Sequence, residues 1–230
     1  MTAGLLLIAA ALCLVLYNRW DSHRAGVASE NAREVLLVSI EHKLSGSQSG
    51  SLPQSGGEGF QTPASGTAQV PDTPETLIQA LQSRPTLPDE VPAVPVMPVE
   101  ELDGESYIGL LEIPALNLSL PVIENWDYEK LKVAPCRYAG SYYMNDLVIC
   151  AHNYQDHFAS LQYIKVGEDV YFTNTDGEVI HYIVSNRQTV LPTQIDLMID
   201  NTQETWDMTL FTCYTGGRTR CAVRCIRADD

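Results

Sequence analysis

Hydrophobic residues are spaced in three different ways along this chain. Residues 3–17 form an uncharged apolar run, and residues 21–44 place hydrophobic side chains at helical spacing, with Val27, Leu36 and Ile40 near one face. Residues 45–105 are rich in Ser, Gly, Pro and acidic side chains, which bury too little apolar surface to fold alone. Short β-prone segments follow. The spacing predicts a membrane anchor over 1–18, a juxtamembrane helix over 19–44, a flexible spacer over 45–105 that holds the next domain off the membrane, and a folded domain over 106–228.

The folded domain is predicted to be mainly β. Asp176-Gly177 joins two strand-like segments as a hairpin, and Pro121 indicates an edge or a bulge. Residues 128–134 and 158–164 favour short helices. About eight strands in such a short domain predict a closed or nearly closed mixed β-barrel. The segments typical of strands are 107–113, 118–124, 147–152, 169–174, 178–186, 209–213 and 218–226.

The apolar run predicts an anchor or an uncleaved signal sequence. It is shorter than the roughly 20 residues that span a bilayer, and it lacks the basic start and the cleavage site of a signal peptide. A buried core helix is the plain alternative. Arg19 and Arg24 follow the run, which by the positive-inside rule favours a cytoplasmic domain. We hypothesise that a basic, apolar stretch precedes this sequence, and an in-frame extension upstream of the start codon would support that idea.

The chain is acidic, with a formal net charge of −15. Binding to a nucleic-acid backbone depends on Lys and Arg that neutralise phosphates. We therefore expect no nucleic-acid partner.

A candidate nucleophile, Cys213, ends the segment Thr-Leu-Phe-Thr-Cys at 209–213. A thiol that attacks an amide needs a lowered pKa or a nearby base, together with a positive group for the developing oxyanion. His152 follows an apolar strand at its exit into a loop, where functional side chains concentrate. Arg220 lies on the strand that follows Cys213, and Arg218 shares its predicted strand face as the alternate.

Each candidate also has a structural interpretation. Cys213 could be a small buried hydrophobe, and His152 could be a histidine held only by the fold. His157 and His181 are the other histidines of the domain. Arg224 shares the strand face of Arg220 by the two-residue period of a strand.

Together these residues resemble the sortase family of cysteine transpeptidases. The segment 209–213 is similar to the family's TLxTC signature, an arginine follows on the next strand at 219–224, and Ala-His-Asn at 151–153 follows an apolar strand. Residues 107–114 resemble the family's opening strand, and the anchor, spacer and domain follow its layout. The resemblance covers 106–228. It implies an eight-stranded sortase-type barrel outside a Gram-positive-type cell membrane, tethered by a single transmembrane helix.

The resemblance also implies a reaction. Cys213 would attack a threonyl–glycine-like bond in an LPXTG-type sorting signal and form a thioacyl intermediate. His152 would act as general acid and base, and Arg220 would stabilise the substrate carbonyl or oxyanion. An amine of a peptidoglycan precursor or a pilin lysine would accept the surface protein at the cell wall. The sequence also leaves open a cysteine hydrolase that releases product to water, and a non-catalytic tethered β-domain that binds surface proteins.

The remaining cysteines predict no metal site. Cys221 and Cys225 on one strand lie roughly 13 Å apart, beyond the roughly 7 Å that a disulfide tolerates. A bridge from Cys136 to Cys150 or to Cys221 is open outside the cell. The sequence contains neither a C-x2-C nor an H-x3-H spacing, and we expect neither a metal nor a cofactor.

Subclass features point in different directions. The N-terminal helix and the stretch A-H-N-Y-x-x-H-F at 151–158 are similar to class B or class D members. The short connection between Asn186 and Thr209 argues against the long helical insertion of class B. Residues 60–105 lack the Asp-Pro-aromatic lid of pilin-type class C, so we expect housekeeping anchoring or a narrower substrate set.

Overall fold

The computed structural model describes residues 2–47, 95–202, 205–214 and 216–228. Short 3-10 turns cover Pro114–Leu116, Lys130–Lys132 and Ala159–Tyr163. The helices are α1 (Thr2–Ser47) and α2 (Asp196–Ile199). The strands are β1 (Glu100–Leu102), β2 (Glu105–Ile113), β3 (Leu118–Ile123), β4 (Cys136–Ala139), β5 (Leu147–Cys150), β6 (Asp169–Asn174), β7 (Val179–Val190), β8 (Met208–Cys213) and β9 (Arg220–Arg227).

Strands β2 to β9 close into a barrel. Their order is β2-β3-β4-β5-β8-β9-β7-β6, and β6 pairs back onto β2, while β1 forms a hairpin with the start of β2. The β3–β4 and β5–β8 pairs are parallel and the others are antiparallel. The prediction of a closed, eight-stranded mixed β-barrel with few helices is confirmed.

Gly109 lets β2 change neighbours and close the barrel. β2 pairs with β1 up to Tyr107 and with β6 from Gly109 onward, and a bulge separates these two residues in its pairing with β3. The φ angle of Gly109 is +151°, and a Cβ there would lie 2.1 Å from the carbonyl oxygen of Thr173. A side chain at this position would therefore push β6 off β2.

Two hydrophobic clusters bury both faces of the central strands. Leu111 of β2 and Leu210 of β8 belong to one cluster, which fills the barrel. Their neighbours Leu110 and Phe211 belong to a second cluster, which includes Leu36 of α1. Because successive strand residues point to opposite faces, strands covered on both sides become continuous apolar runs in the sequence.

The helix α1 crosses the predicted boundary at residue 18 without a break. Its first half is exposed, and α1 is the one described helix long and apolar enough to cross a membrane, which is compatible with an anchor. Its second half packs on β1 and β3, and the buried residues of this half are Ala25, Ser29, Leu36 and Ile40. Val27, predicted on the buried face, is 48% exposed because small residues form the contact there instead.

Most of the predicted spacer over 45–105 lies outside the described residues. Regular structure begins before residue 106, because β1 and the start of β2 precede it. The helix α1 also contacts the barrel directly: the Nζ of Lys43 lies 2.6 Å from Oε2 of Glu100, which also accepts a hydrogen bond from Ser39 through Oε1. The second half of α1 and the barrel are therefore in direct contact, whereas the sequence predicted a spacer that holds the domain off the membrane.

Buried His157 is expected to make stability depend on pH. Its side chain is inaccessible to solvent, and burial, with a smaller contribution from His152, lowers its pKa to about 4. In the unfolded chain the pKa returns to about 6.5, so the unfolded state binds the proton first. Stability is then complete above about pH 6.5 and is lost as the pH falls towards 4, by about 3 kcal/mol in total.

Chemical denaturation of the detergent-solubilised chain at pH 7 and pH 4.5 measures this loss. We expect His157→Gln to remove most of it. The matched control is His181→Gln, which alters a partly exposed histidine bonded to Asp169 and should leave the loss in place. An equal loss in the wild type and in His157→Gln would contradict the assignment.

Candidate active site

Two parallel strands bring His152 and Cys213 to the same end of the barrel. β5 pairs with β8 so that Cys150 lies opposite Phe211. The contact continues beyond β5, because the Ala151 N–H donates to the Phe211 carbonyl at 3.2 Å and the Thr212 hydroxyl donates to the Ala151 carbonyl at 2.9 Å. The same register carries His152 to the side of Cys213. The predicted strand over 147–152 ends at Cys150, and His152 therefore lies in the loop that follows.

Arg220 faces Cys213 from the other neighbouring strand. The two residues are directly opposed in the antiparallel β8–β9 pair, and such residues point to the same face of a sheet. Among the described residues, Arg220 donates only through Nη1, to the carbonyl oxygens of Gly217 at 2.9 Å and Thr219 at 3.3 Å. These two bonds orient the guanidinium, and the N–H groups on its other nitrogens take no part in them.

Arg218 does not share this strand face. It lies in the exposed loop that precedes β9, since β9 begins at Arg220 rather than at residue 218. The prediction that both arginines share one strand face is wrong. The pair Gly216-Gly217 extends the turn, and the strand forms only after it.

Arg224 shares the face but has partners in the fold. It is 2% exposed, donates to Oγ1 of Thr209 at 2.5 Å and to the Leu197 carbonyl, and places its guanidinium 4.9 Å from the centre of the Trp206 ring. These contacts join β8 and β9 to the connection over 191–207. Arg224 thus fixes the segment that borders the site.

Two clefts meet at Cys213 and His152. The first has a volume of about 240 Å³ and also contains Arg220, which is the only permanently charged residue in its described lining. The second has a volume of about 270 Å³ and includes Tyr214 and the Gly216-Gly217 turn. Both side chains are therefore accessible from two neighbouring surfaces.

An aromatic wall lines the first cleft, and the sequence analysis did not identify it. The ring centres of Trp126 and Tyr138 are 5.3 Å apart, Tyr138 meets Phe211 edge-on at 5.2 Å, and Tyr128 is 71% exposed. The available signal was the pair of aromatic residues at 126 and 128 in a loop, where a core role is unusual. The connection over 191–207, which contains the four-residue helix α2, forms another side of this cleft. The residues of this connection that line the first cleft are Leu191, Pro192, Ile195 and Met198.

Burial lowers the pKa of His152 below its ordinary value of 6.5. Asp21 of α1 opposes the shift by favouring the charged ring, while Lys132 adds slightly to it. At neutral pH the ring is mostly neutral, so one nitrogen can accept a proton. A neutral imidazole beside a thiol is a suitable general base.

The other histidines and cysteines have different surroundings. Neither His157 nor His181 lines the two clefts. Cys136 and Cys150 are directly opposed across β4–β5 and share the outer cluster, whereas Cys221 faces the barrel interior, so the register fits the first of the two bridges left open by the sequence. The thiols of Cys136 and Cys150 are not joined in a disulfide in this structure. Within the described part of the chain, no group of three or more His, Cys, Asp or Glu is arranged to hold a metal ion.

The sequence model of the Sortase domain family matches residues 111–228, more than half of the chain. The chain belongs to the sortase family. Sortases are cysteine transpeptidases, so the chain is an enzyme of this general kind. No curated protein matches it significantly.

Several solved sortases are similar to this one. Sortase C from Clostridium perfringens is 25% identical with a TM-score of 0.46, over 54% of this chain and 71% of its own. Sortase A from Corynebacterium diphtheriae is 25% identical with a TM-score of 0.48, over 55% and 62%. Sortase C1 from Streptococcus suis is 26% identical with a TM-score of 0.47, over 54% and 74%. The Clostridium perfringens protein has also been solved with the C-terminal cell wall sorting motif.

Cys213 is expected to be the most reactive thiol of the barrel. It is half-buried, whereas Cys136, Cys150, Cys221 and Cys225 are buried, and burial raises the pKa of each of these four. Because the thiolate is the nucleophile, we expect iodoacetamide at neutral pH to alkylate Cys213 before the other four thiols of the barrel. Peptide mass spectrometry after brief labelling of the native protein measures this order. Labelling of Cys150 or Cys225 as fast as that of Cys213 would contradict it.

Proposed function

We propose that this sortase is a membrane-anchored transpeptidase that cleaves an LPXTG-like sorting signal and transfers the protein to an amine of the cell wall. Cys213 is the nucleophile, His152 is the general acid and base, and Arg220 stabilises the substrate carbonyl. The proposal needs neither a metal nor a cofactor. Its substrates are a sorting-signal peptide and an amine acceptor such as a peptidoglycan precursor or a pilin lysine.

One observation carries the proposal. Three strand ends bring a thiol, a mostly neutral imidazole and a guanidinium to one cleft with no carboxylate in its described lining. A carboxylate there would pair with Arg220 and lower its attraction for an oxyanion. The combination suits acyl transfer through a thioester better than proton transfer or ligand storage.

The reaction follows from these three groups. His152 takes the Cys213 proton as the sulfur bonds to the scissile carbonyl carbon, and Arg220 donates to the oxygen that becomes negative. Collapse of the tetrahedral species breaks the C–N bond, and His152 returns the proton to the departing amine. An incoming amine then attacks the thioester, loses its proton to His152 and forms a new amide. The last transfer restores the Cys213 thiol.

In this proposal the two clefts bind different parts of the substrates. The acyl part of the sorting signal occupies the first cleft, where the aromatic wall and the apolar residues of the 191–207 connection bury its hydrophobic side chains. The departing and incoming amines use the second cleft, beside Gly216-Gly217. Separate approaches allow the acceptor to arrive while the acyl group stays in place.

The cellular location of the enzyme is part of the same proposal. Residues 1–18 anchor it as a single transmembrane segment, with the barrel on the outer face of a Gram-positive-type membrane. The exposed apolar first half of α1 supports this placement. We assign a class B-like or D-like sortase, on the N-terminal helix and the stretch at 151–158, and one that anchors surface proteins rather than polymerising pilins, because residues 60–105 lack the Asp-Pro-aromatic lid. In the described part of the 191–207 connection the four-residue α2 is the only helix, so the long helical insertion of class B is not seen there.

An amine acceptor is expected to redirect the products. The full chain in detergent, mixed with LPXTG-like and NPXTX-like peptide libraries, should form an acyl adduct on Cys213 that mass spectrometry detects. Adding a glycine-based amine should replace hydrolysed product by amide product, since amines attack thioesters faster than water does. Cys213→Ala should abolish the adduct. An unchanged product spectrum on adding amine would identify a hydrolase, and unaltered function in Cys213→Ala would identify a binding domain.

The two arginines provide a matched pair. Arg220→Ala is expected to lower kcat/KM about 10²- to 10³-fold, the usual effect of removing one oxyanion donor. Arg218→Ala removes the same charge from the exposed loop and should stay close to wild type. Steady-state kinetics on one sorting peptide measures both. Equal losses in the two variants would point to a general charge effect and against a contact of Arg220 with the reacting oxygen.

A further inference from the structure

The helix α1 contacts the loop that carries His152. The hydroxyl of Tyr154 donates to Oδ2 of Asp21 at 2.5 Å, and the backbone N–H of Gln155 donates to the hydroxyl of Ser22 at 3.1 Å. The Asp21 side chain is only 18% exposed, although it belongs to a helix surface. These bonds link residues more than a hundred positions apart in the sequence.

The ring of Tyr154 lies between two histidines. Its centre is 5.0 Å from that of His152 and 5.6 Å from that of His157. The loop is closed by its own backbone, because the Phe158 N–H donates to the His152 carbonyl at 3.3 Å and the His157 N–H donates to the Tyr154 carbonyl at 3.1 Å. The position of the Tyr154 ring therefore limits where the His152 ring can lie.

Gly26 permits this contact. A Cβ on Gly26 would lie 2.4 Å from Oδ2 of Asp156 and 2.8 Å from its Cβ. The second atom is not the flexible tip of a side chain, so α1 and the loop would have to separate. Ala25, next to Gly26, is 2% exposed. The small residues of α1 thus bring the helix into direct contact with the loop over 152–158.

We propose that Tyr154 and Asp21 are positioning residues for His152, so that α1, beyond tethering the barrel, completes the active site. The inference rests on the proposed role of His152 as acid and base. Asp21 fixes the Tyr154 hydroxyl, and the Tyr154 ring, which also lines the second cleft, holds the imidazole beside Cys213. Misplacement of a catalytic group by about 1 Å can lower a rate by about 10²-fold.

Charge supports the same arrangement. Asp21 acts on His152 against the effect of burial, by favouring the protonated ring that must form while the amine departs. Asp21 also lies three residues beyond the predicted end of the anchor, about 4.5 Å along a helix axis. The contact therefore keeps the reactive residues near the membrane end of α1.

The test uses the full chain in lipid nanodiscs and measures single-turnover acylation by a sorting peptide. The expected result for Tyr154→Phe and for Asp21→Ala is an acylation rate about tenfold lower with a peptide KM within about twofold of wild type. The double variant should be no slower than the slower single one, since both remove one linkage. Tyr154→Leu, which also removes the ring, should be slowest. Gly26→Val should reproduce the loss without altering either bonded side chain.

The matched control breaks the other end of the same helix contact. Ser39→Ala with Lys43→Met removes the two bonds to Glu100 and the bond from Lys43 to the Thr175 carbonyl, all far along α1 from His152. It should lower the melting temperature at least as much as Asp21→Ala while leaving the acylation rate unchanged. Only Asp21→Ala should move the acid limb of the pH–rate profile to lower pH. The other charged or titratable groups near His152 and Asp21, namely Arg24, Lys132, His157, Cys213 and Arg220, are the same in all of these variants.

Each outcome decides the question. Wild-type acylation rates in both single variants, or losses that simply add in the double variant, overturn the positioning role. If the Ser39/Lys43 control loses as much acylation rate as Asp21→Ala, α1 stabilises the barrel but does not position His152. Failure of the wild type itself to form an adduct on Cys213 would overturn the proposed function, and the positioning role with it.

Discussion

The register of the parallel β5–β8 pair is the constraint on which the site depends. Because Cys150 lies opposite Phe211, the residues that follow them remain aligned. The loop residue His152 therefore lies beside the strand residue Cys213. A slip of one residue would turn every side chain of one strand to the other face. His152 would then meet Thr212, whose hydroxyl is bonded to the Ala151 carbonyl, instead of the thiol.

Packing on both faces holds this register. Leu210 is buried inside the barrel and Phe211 in the outer cluster. A slip of β8 by one residue would therefore remove both large apolar side chains from their clusters. Fully burying such a side chain contributes about 1.5–3 kcal/mol. The outer cluster includes residues of α1, and the helix therefore contributes to the same register that brings His152 beside Cys213.

The sequence predicted those parts of the site that local pattern controls. An apolar run ending in Cys213 and another ending just before His152 mark two buried strands and their exits, and the barrel follows from the number of such runs. The choice between Arg218 and Arg220 depends on where β9 begins, which the Gly216-Gly217 turn decides in three dimensions. The aromatic wall could not be predicted, because Trp126 and Tyr138 meet Phe211 only after the barrel closes.

The contact of α1 with the loop was missed for a different reason. Hydrophobic spacing favoured Val27 as a buried residue, but the helix approaches the barrel through Ala25, Gly26 and Ser29, and small residues give a weak signal on any hydrophobicity pattern. Charge shows why the contact matters. In a chain of net charge −15, the described lining of the first cleft contains no carboxylate, so no negative side chain there competes for Arg220. The carboxylate that favours protonation of His152 belongs to Asp21, outside the cleft and on the helix. The barrel supplies the positive group and α1 the negative one, and the separation lets each act on its own partner without neutralising the other.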